Sequence, residues 1–283
     1  MIPIRIIRRR IRSIKSTAKI TKAMEMIAAS KMRQAQLRVL AARPYSEKMR
    51  DVLANLAAQP TTDGDSHPLL QHREIKRITV IHVTGDRGLC GGLNANMNRR
   101  TASFILEQSI PVNLVTAGRK GRDFMSRYGR DIRAEFTQLG DKPALVDTTP
   151  ISRVVIDDYT SKLTDEIYLA YTQFITTVLQ RPVLWKLLPI EPTKFKHAEN
   201  IDYIYEPSPS VVLGELLPRY IEMQIYHAIL ESIASEQSAR MVAMRNATDN
   251  ANEMIDDLTL TYNKARQELI TKELLDIAGG VVS

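Results

Sequence analysis

The sequence predicts an α/β domain set between two long terminal helices that pair as an antiparallel coiled coil, and three observations lead there. Nine of the 12 glycines fall between Gly64 and Gly140, whereas the stretches from Ile4 to Arg43 and from Arg219 to Ala278 contain neither Gly nor Pro. Helix breakers are confined to the middle, so both ends are free to be long helices. Both ends also repeat apolar residues at alternating steps of three and four. The middle alternates β-branched runs with helical periodicity, the pattern of a sheet with parallel members.

In the first segment the steps visit Ile4, Ile7, Ile11, Ile14, Ala18, Thr21, Glu25, Ala28, Met32, Ala35, Val39 and Ala42, and ten of these 12 positions are apolar. That is a heptad seam, the sequence cause of a coiled coil. Thr21 and Glu25 interrupt it, and Ile20, Met24 and Ile27 beside them widen the apolar face. Pro44 either kinks the helix or ends it, and Met49, Val52, Leu53 and Leu56 then resume the pattern.

The last segment starts at Ser208-Pro209, a capping serine before a first-turn proline, restarts at Pro218 and stops at Gly279-Gly280. From Met244 its stripe runs through Ala247, Ala251, Met254, Leu258, Tyr262, Ala265 and Leu269, and dense Ala and Ser between Ile233 and Ala251 let two backbones approach closely. At about 1.5 Å per residue, 40 and 60 uninterrupted residues make helices of roughly 60 and 90 Å. Neither fits inside a compact domain of this size. Both therefore project, and their simplest partner is each other.

Between them, Arg77 to Thr84 (RITVIHVT) reads as a strand ending at a glycine turn, Ala95 to Gln108 as a helix and Pro111 to Thr116 (PVNLVT) as a second strand. Lys120 to Tyr128 reads as a helix, Asp131 to Phe136 as a third strand, Ile151 to Thr164 as a helix and Glu166 to Leu188 as a β-rich stretch. Asp202 to Pro209 (DYIYEPSP) leads into the last helix. The implied division is a coiled-coil helix over 1–59, an α/β domain over 75–205 and a second coiled-coil helix over 208–283.

Charge is as unevenly placed as glycine. The formal net charge is +7, yet Met1 to Arg38 holds eleven Lys and Arg against Glu25 alone, a local surplus of +10 that leaves the other 245 residues at −3. Such a surplus repels itself unless an acidic surface surrounds it, so the first helix is expected to meet an acidic partner. The single Cys excludes an intramolecular disulfide and a cysteine-built zinc site, and it points to a reducing compartment. No stretch has the roughly 18 uncharged apolar residues of a membrane span. Phe174 to Ile190 comes nearest and is broken by Arg181, Pro182 and Lys186.

Gly85 to Gly92 (GDRGLCGG) lies between a strand and a helix, where a phosphate loop would sit. Its spacing is neither GxGxxG nor GxxxxGK[ST], and no Lys-Ser/Thr pair follows. A tight turn requiring small residues is the preferred reading. Cys90 within it reads as a small packed residue, with only His82 near it in sequence. The five His show no metal-ligand spacing, and Asp157-Asp158 and Asp256-Asp257 read as solvated helix faces. No catalytic residue, metal or cofactor is expected. Two constellations remain: the basic first helix, and Lys264, Arg266, Gln267 and Lys272, which present donors near the end of the last helix.

Five blocks, in order, resemble the gamma subunits of F-type ATP synthases of bacterial type. They are ITKAMEMIAASKMR (Ile20 to Arg33), DRGLCGGLN (Asp86 to Asn94), YIYEP (Tyr203 to Pro207), SEQSARMVAMRNATDNA (Ser235 to Ala251) and YNKARQELITKELLDIAGG (Tyr262 to Gly280). The resemblance covers nearly the whole chain. It implies a long antiparallel coiled coil of the N- and C-terminal helices with a central Rossmann-like α/β domain lacking a nucleotide site. It also implies a rotor rather than an enzyme. The coil would stand inside a ring of alpha and beta subunits, and its foot would rest with epsilon on the membrane ring of c subunits. Its rotation would couple proton translocation to ATP synthesis or hydrolysis on beta. The implied location is peripheral, on the cytoplasmic face of the bacterial cell membrane, with membrane association only through the complex.

By matching motif, Met24 and Arg240 resemble the pair at the neck of the shaft, with Lys19 and Lys22 facing the acidic loop of beta. Arg266, Gln267, Thr271 and Glu273 resemble upper contacts to beta, and Tyr203 and Glu206 resemble foot residues that meet the c ring. The competing readings are a basic coiled-coil nucleic-acid-binding protein and a nucleotide-dependent α/β enzyme. The first needs a basic region that forks away from its zipper, yet Ile4 to Ile14 belong to the seam. The second needs the missing phosphate loop.

Overall fold

The computed structural model describes residues 3–58, 67–191 and 205–280. Their order is α1 (Ile4–Ala58), a 3-10 turn (Pro68–Leu70), β1 (Ile78–Val83), α2 (Leu93–Glu107), β2 (Val112–Ala117), α3 (Arg119–Arg127), β3 (Ile132–Phe136), α4 (Leu145–Thr160), β4 (Glu166–Phe174), β5 (Gln180–Leu188) and α5 (Pro209–Gly280). The chain divides into two units, one built on Ser30–Ala239 and the other on residues up to Ala29 together with those from Arg240 onward.

In the first unit the strands lie in the order β3-β2-β1-β4-β5. The neighbours β3-β2, β2-β1 and β1-β4 are parallel, and β5 returns antiparallel to β4. Strand alternation sends Ile78 and Val80 of β1, with Leu114 and Ala170, toward Met97, Phe104 and Ile105 of α2 and Met125 of α3. The alternate residues Ile81 and Val83, with Val115 and Leu169, face the other way. There Ile151, Val155 and Tyr159 of α4, Met49 and Leu53 of α1, and Leu217, Ile221 and Ile225 of α5 close a larger core. β1 is buried at all six positions, which is why it reads as one unbroken apolar run.

Helix ends depart from expectation at Pro218 and at both ends of α4. Pro44 does not end α1, and Pro218 does not restart α5, which is continuous from Pro209. An interior proline costs roughly 3 kcal/mol. Burial of Met49, Leu53 and Leu56 beyond Pro44, and of Leu217, Tyr220 and Ile221 around Pro218, outweighs that at about 1.5–3 kcal/mol for each large apolar side chain. α4 starts at Leu145 rather than Ile151, because the Asp147 carboxylate accepts the Ala144 N–H at 2.8 Å and organises an earlier first turn. It stops at Thr160 rather than Thr164, because Lys162 turns left-handed (φ 61°) and the amides of Leu163 and Thr164 both donate back to the Asp158 carbonyl.

In the second unit α1 and α5 run antiparallel. Arg8 meets Tyr262, Thr21 meets Thr248 and Glu25 meets Arg245, so residue numbers rise on one helix as they fall on the other. Each pair sums to 269 or 270, a constant register. Ala18, Thr21, Glu25 and Ala28 of α1 and Met241, Met244, Thr248 and Ala251 of α5 are buried along this register, as is Ile7 nearer the start of α1, and small residues at several of these sites permit close approach.

Thr21 and Glu25 thus belong to the seam instead of interrupting it. The widened apolar face does not form against α5: Ile20 and Ile27 are 58% and 55% exposed. On α5, Thr248 and Ile255 take the seam places expected of Ala247 and Met254, and Met254 and Leu269 are exposed. Apolarity alone selects the wrong residue here. Thr248 is buried without penalty because its hydroxyl bonds the Met244 carbonyl at 2.9 Å and Thr21 Oγ1 at 2.7 Å.

Candidate functional site

The coil carries a polar cluster at its centre. The Glu25 carboxylate, nearly buried, accepts hydrogen bonds from Lys22 Nζ and Arg245 Nε, each at 3.0 Å. The Lys22 bond, aided by the Arg245 bond, holds the carboxyl below its ordinary value of 4.5 although burial pushes the other way. About one turn away lies the Thr21–Thr248 pair. A slip of register would take Arg245 from the buried Glu25 carboxylate and leave each threonine with only its own-helix carbonyl, so the cluster favours a single register. The sequence signal was visible as two polar residues on an apolar stripe, but their partners Arg245 and Thr248 were not.

The basic surface is largely unneutralised. Of the eleven N-terminal cations, only Lys22 and Lys31 meet a carboxylate among the described residues, Glu25 at 3.0 Å and Asp141 at 2.6 Å. Arg8 instead donates to the Tyr262 hydroxyl at 2.7 Å and stands 5.6 Å from its ring centroid. Lys19 is exposed, whereas Lys22 is shared with Glu25. Asp141 also accepts from Gln237 Nε2 at 3.0 Å, a tie that the sequence did not announce. Met24 is half-buried, and the register sets it opposite position 246, so Arg240 lies six residues, roughly 9 Å, away along α5.

Beyond Ala265 every side chain of α5 through Leu275 is exposed. Arg266, Gln267, Thr271 and Glu273 all lie in this stretch, and the Thr271 hydroxyl donates to the Gln267 carbonyl at 2.9 Å. Leu269, Ile270, Leu274 and Leu275 are 45–66% exposed, an apolar complement that the polar surroundings do not cover. Glu206 is exposed, and Tyr203 lies outside the described residues.

At the C-terminal ends of β1 and β2, where a doubly wound sheet holds its ligand, the crevice is filled from within. Ile229, Ser232, Ile233 and Glu236 of α5 leave a cavity of about 40 Å³, against the roughly 300 Å³ or more of a ligand pocket. A β-carbon on Gly85 would stand 2.7 Å from the Glu236 carboxylate, and that negative charge opposes phosphate. Asp86 accepts the amides of Arg119, at the first turn of α3, and Gln138 at 2.8 and 2.9 Å. The chain's own carboxylate thus takes the donors that an anion would use.

In the same region Leu89 and Gly91 adopt φ near +60°, so the turn reading of the glycine loop holds. Cys90 is buried, and its sulfur accepts from the Asn94 side-chain amide at 3.3 Å. His82 is fully buried and bonded to Asn98 at 2.8 Å and Thr101 at 3.0 Å. Burial lowers its pKa to about 4, and it is a neutral core residue. No group of three or more potential metal ligands occurs among the described residues, and none of their helices is long and apolar enough to cross a membrane.

The comparisons with known proteins agree over most or all of the chain. The family model described as ATP synthase matches residues 3–283. The ATP synthase gamma chain of Dehalococcoides mccartyi is 61% identical over 283 residues, covering 100% of this chain and 99% of the relative. That of Chloroflexus aurantiacus is 51% identical over 281 residues, covering 98% and 97%. Among solved structures, a chain of the central stalk and c ring of the Tetrahymena thermophila mitochondrial ATP synthase is 26% identical. It aligns with a TM-score of 0.63 over 81% of this chain and 99% of that one. A chain of the Euglena gracilis mitochondrial ATP synthase, at 20% identity, shares the fold with a TM-score of 0.69 over 99% and 93%. With a family model over residues 3–283 and gamma chains at 61% and 51% identity over nearly the whole chain, this antiparallel pair of terminal helices and mixed sheet belong to a member of the ATP synthase gamma-chain family.

Proposed function

We propose that the chain is the central-stalk rotor subunit of an F-type ATP synthase and is itself non-catalytic. The observation that carries this reading is the coil: an antiparallel pair in constant register whose cations are concentrated on α1, continuing into an end of α5 that is exposed through Leu275. Such a shaft presents a different face to each subunit of a surrounding ring. A ring subunit that binds one face more tightly in one conformation is biased toward that conformation, and turning the shaft passes the bias to the next. Rotation driven by proton flow through the c ring would in this way drive ATP synthesis on beta, and ATP hydrolysis would drive the reverse.

The partners of this reading are alpha and beta around the coil, and epsilon and the c ring at the foot. Lys19 and the shared Lys22 meet the acidic loop of beta, with Met24 and Arg240 at the neck. Arg266, Gln267, Thr271 and Glu273 engage beta higher up, and Tyr203 and Glu206 face the c ring. The subunit would be peripheral, on the cytoplasmic face of the cell membrane. The small crevice filled by Glu236 supports the absence of a nucleotide site. The nucleic-acid reading is disfavoured because Ile7 in the basic stretch is buried in the coil.

Affinity purification of the tagged chain from native membranes tests the assignment. Alpha and beta should co-purify at stoichiometric yield, and recovery of nucleic acid in their place would overturn it. Calorimetry of the purified chain with magnesium ATP should show no binding, and micromolar binding would remove the non-catalytic assignment.

A further inference from the structure

We propose that the groove between α2 and α3 is a docking site for an acidic amphipathic helix of a partner protein. The two helices cover one face of the sheet, and their outer sides enclose a groove of about 710 Å³. Apolar side chains in its lining are open to solvent: Leu106 is 71% and Tyr128 65% exposed, with Phe124 packed on Tyr128 at a ring-centroid distance of 4.8 Å. Arg99, Arg127 and Arg130 line the same groove, and none of the three engages a carboxylate among the described residues. The one acid in the lining, Asp123, is held by Arg122 at 2.8 Å, with Lys120 also nearby. The groove therefore combines exposed apolar side chains with arginines that its own lining does not neutralise.

Charge and shape together select the occupant. A polyanion such as single-stranded nucleic acid would satisfy the arginines and leave Leu106 and Tyr128 in water. A neutral apolar ligand would leave the arginines unpaired. A helix with an apolar ridge flanked by Asp or Glu satisfies both, in the helix-in-groove mode. Arg99 and Leu106 are seven residues apart on α2, roughly 10 Å, which matches two turns of such a helix. The site involves neither the coil nor the exposed end of α5, so it does not depend on the rotor assignment.

The test uses the full-length purified chain and a fluorescein-labelled designed peptide, a helical 14-mer with Leu and Phe on one face and Glu on the others, read by anisotropy at 50 mM salt. The basic N-terminal helix will attract any anion, so the informative quantity is the loss on altering the groove. Arg127→Glu with Arg130→Glu should weaken peptide binding about tenfold, and Tyr128→Ala should weaken it several-fold. A scrambled peptide of equal charge and a single-stranded oligonucleotide should be unaffected by Tyr128→Ala. Circular dichroism checks that each variant remains folded, and Leu106→Ala on the surface of α2 serves as an independent second probe of the apolar lining. Unchanged peptide binding in the groove variants overturns the proposal. So does an equal loss for the oligonucleotide or the scrambled peptide, which would reduce the groove to a general anion-attracting surface.

Discussion

Glu25→Gln removes the one negative charge of the coil's polar cluster while keeping its shape. The carboxylate accepts from Lys22 and Arg245, whose side chains are 57% and 60% exposed, whereas its own is 8% exposed. Charge-assisted hydrogen bonds contribute about 1.5–3 kcal/mol each when shielded, and exposed cations reduce this toward 0.5–1 kcal/mol each. Losing both should cost about 1–2 kcal/mol at pH 7. Because the chain contains two units, a single melting temperature would blur the effect. Amide hydrogen exchange over residues 14–29 and 244–256 resolves it, and protection there should fall about 5- to 30-fold.

A carboxylate whose pKa is depressed on folding stabilises the fold above its unfolded-state value and loses that contribution as pH falls through the folded one. The gap between wild type and variant should therefore be full at pH 7 and close as the pH falls below the ordinary value of 4.5. Less than a twofold change in protection at pH 7, or a gap that persists undiminished in acid, would refute the electrostatic account.

Gly118 holds φ 113°, and a β-carbon there would overlap the Thr84 carbonyl. Gly118→Ala should cost about 2–3 kcal/mol, whereas Gly129→Ala, at φ 63° in open space, should cost about 1 kcal/mol; equal costs by chemical denaturation would count against the steric account. Glu231 is largely buried, with His227 Nδ1 at 3.8 Å and Tyr171 nearby, and burial raises its carboxyl to about 7. An acid raised on folding stabilises at low pH and loses that contribution as pH rises through the folded value, so Glu231→Gln should match wild type at pH 4 and exceed it by up to about 3 kcal/mol at pH 9. Similar denaturation midpoints at pH 9 would contradict this. Lys19→Glu, which disturbs no internal ion pair, should lower ATP-driven proton pumping in the assembled complex more than it lowers hydrolysis, and raised salt should partly reproduce the defect in wild type; normal pumping would argue against an acidic collar.

The long helices and the strands of the sheet were legible because periodicity and the placement of glycine report local geometry directly. The heptad stripe marked Ile7, Ala18 and Ala28 as buried, and they are. What the stripe could not show was pairing across more than 200 residues. Thr21 and Glu25 looked like defects until Thr248 and Arg245 appeared opposite them. For the same reason apolarity chose Met254 over Ile255. Pro218 misled because a helix boundary depends on burial from distant segments as well as on the local chain. The glycine loop was correctly read as a turn, but that α5 would fill the crevice beside it with Glu236 required the fold.

The constant sum of paired positions in the coil constrains how such a chain can change over time. One residue inserted in α1 between Arg8 and Thr21 would rotate everything beyond it by about 100° and advance it by about 1.5 Å. Either the Arg8–Tyr262 contact or the Thr21–Thr248 and Glu25–Arg245 contacts would then be lost. Only a matching insertion in α5 between Thr248 and Tyr262 preserves both ends. The two helices are thus coupled in length as well as in contact, and a change of length in one keeps the register only when the other changes with it.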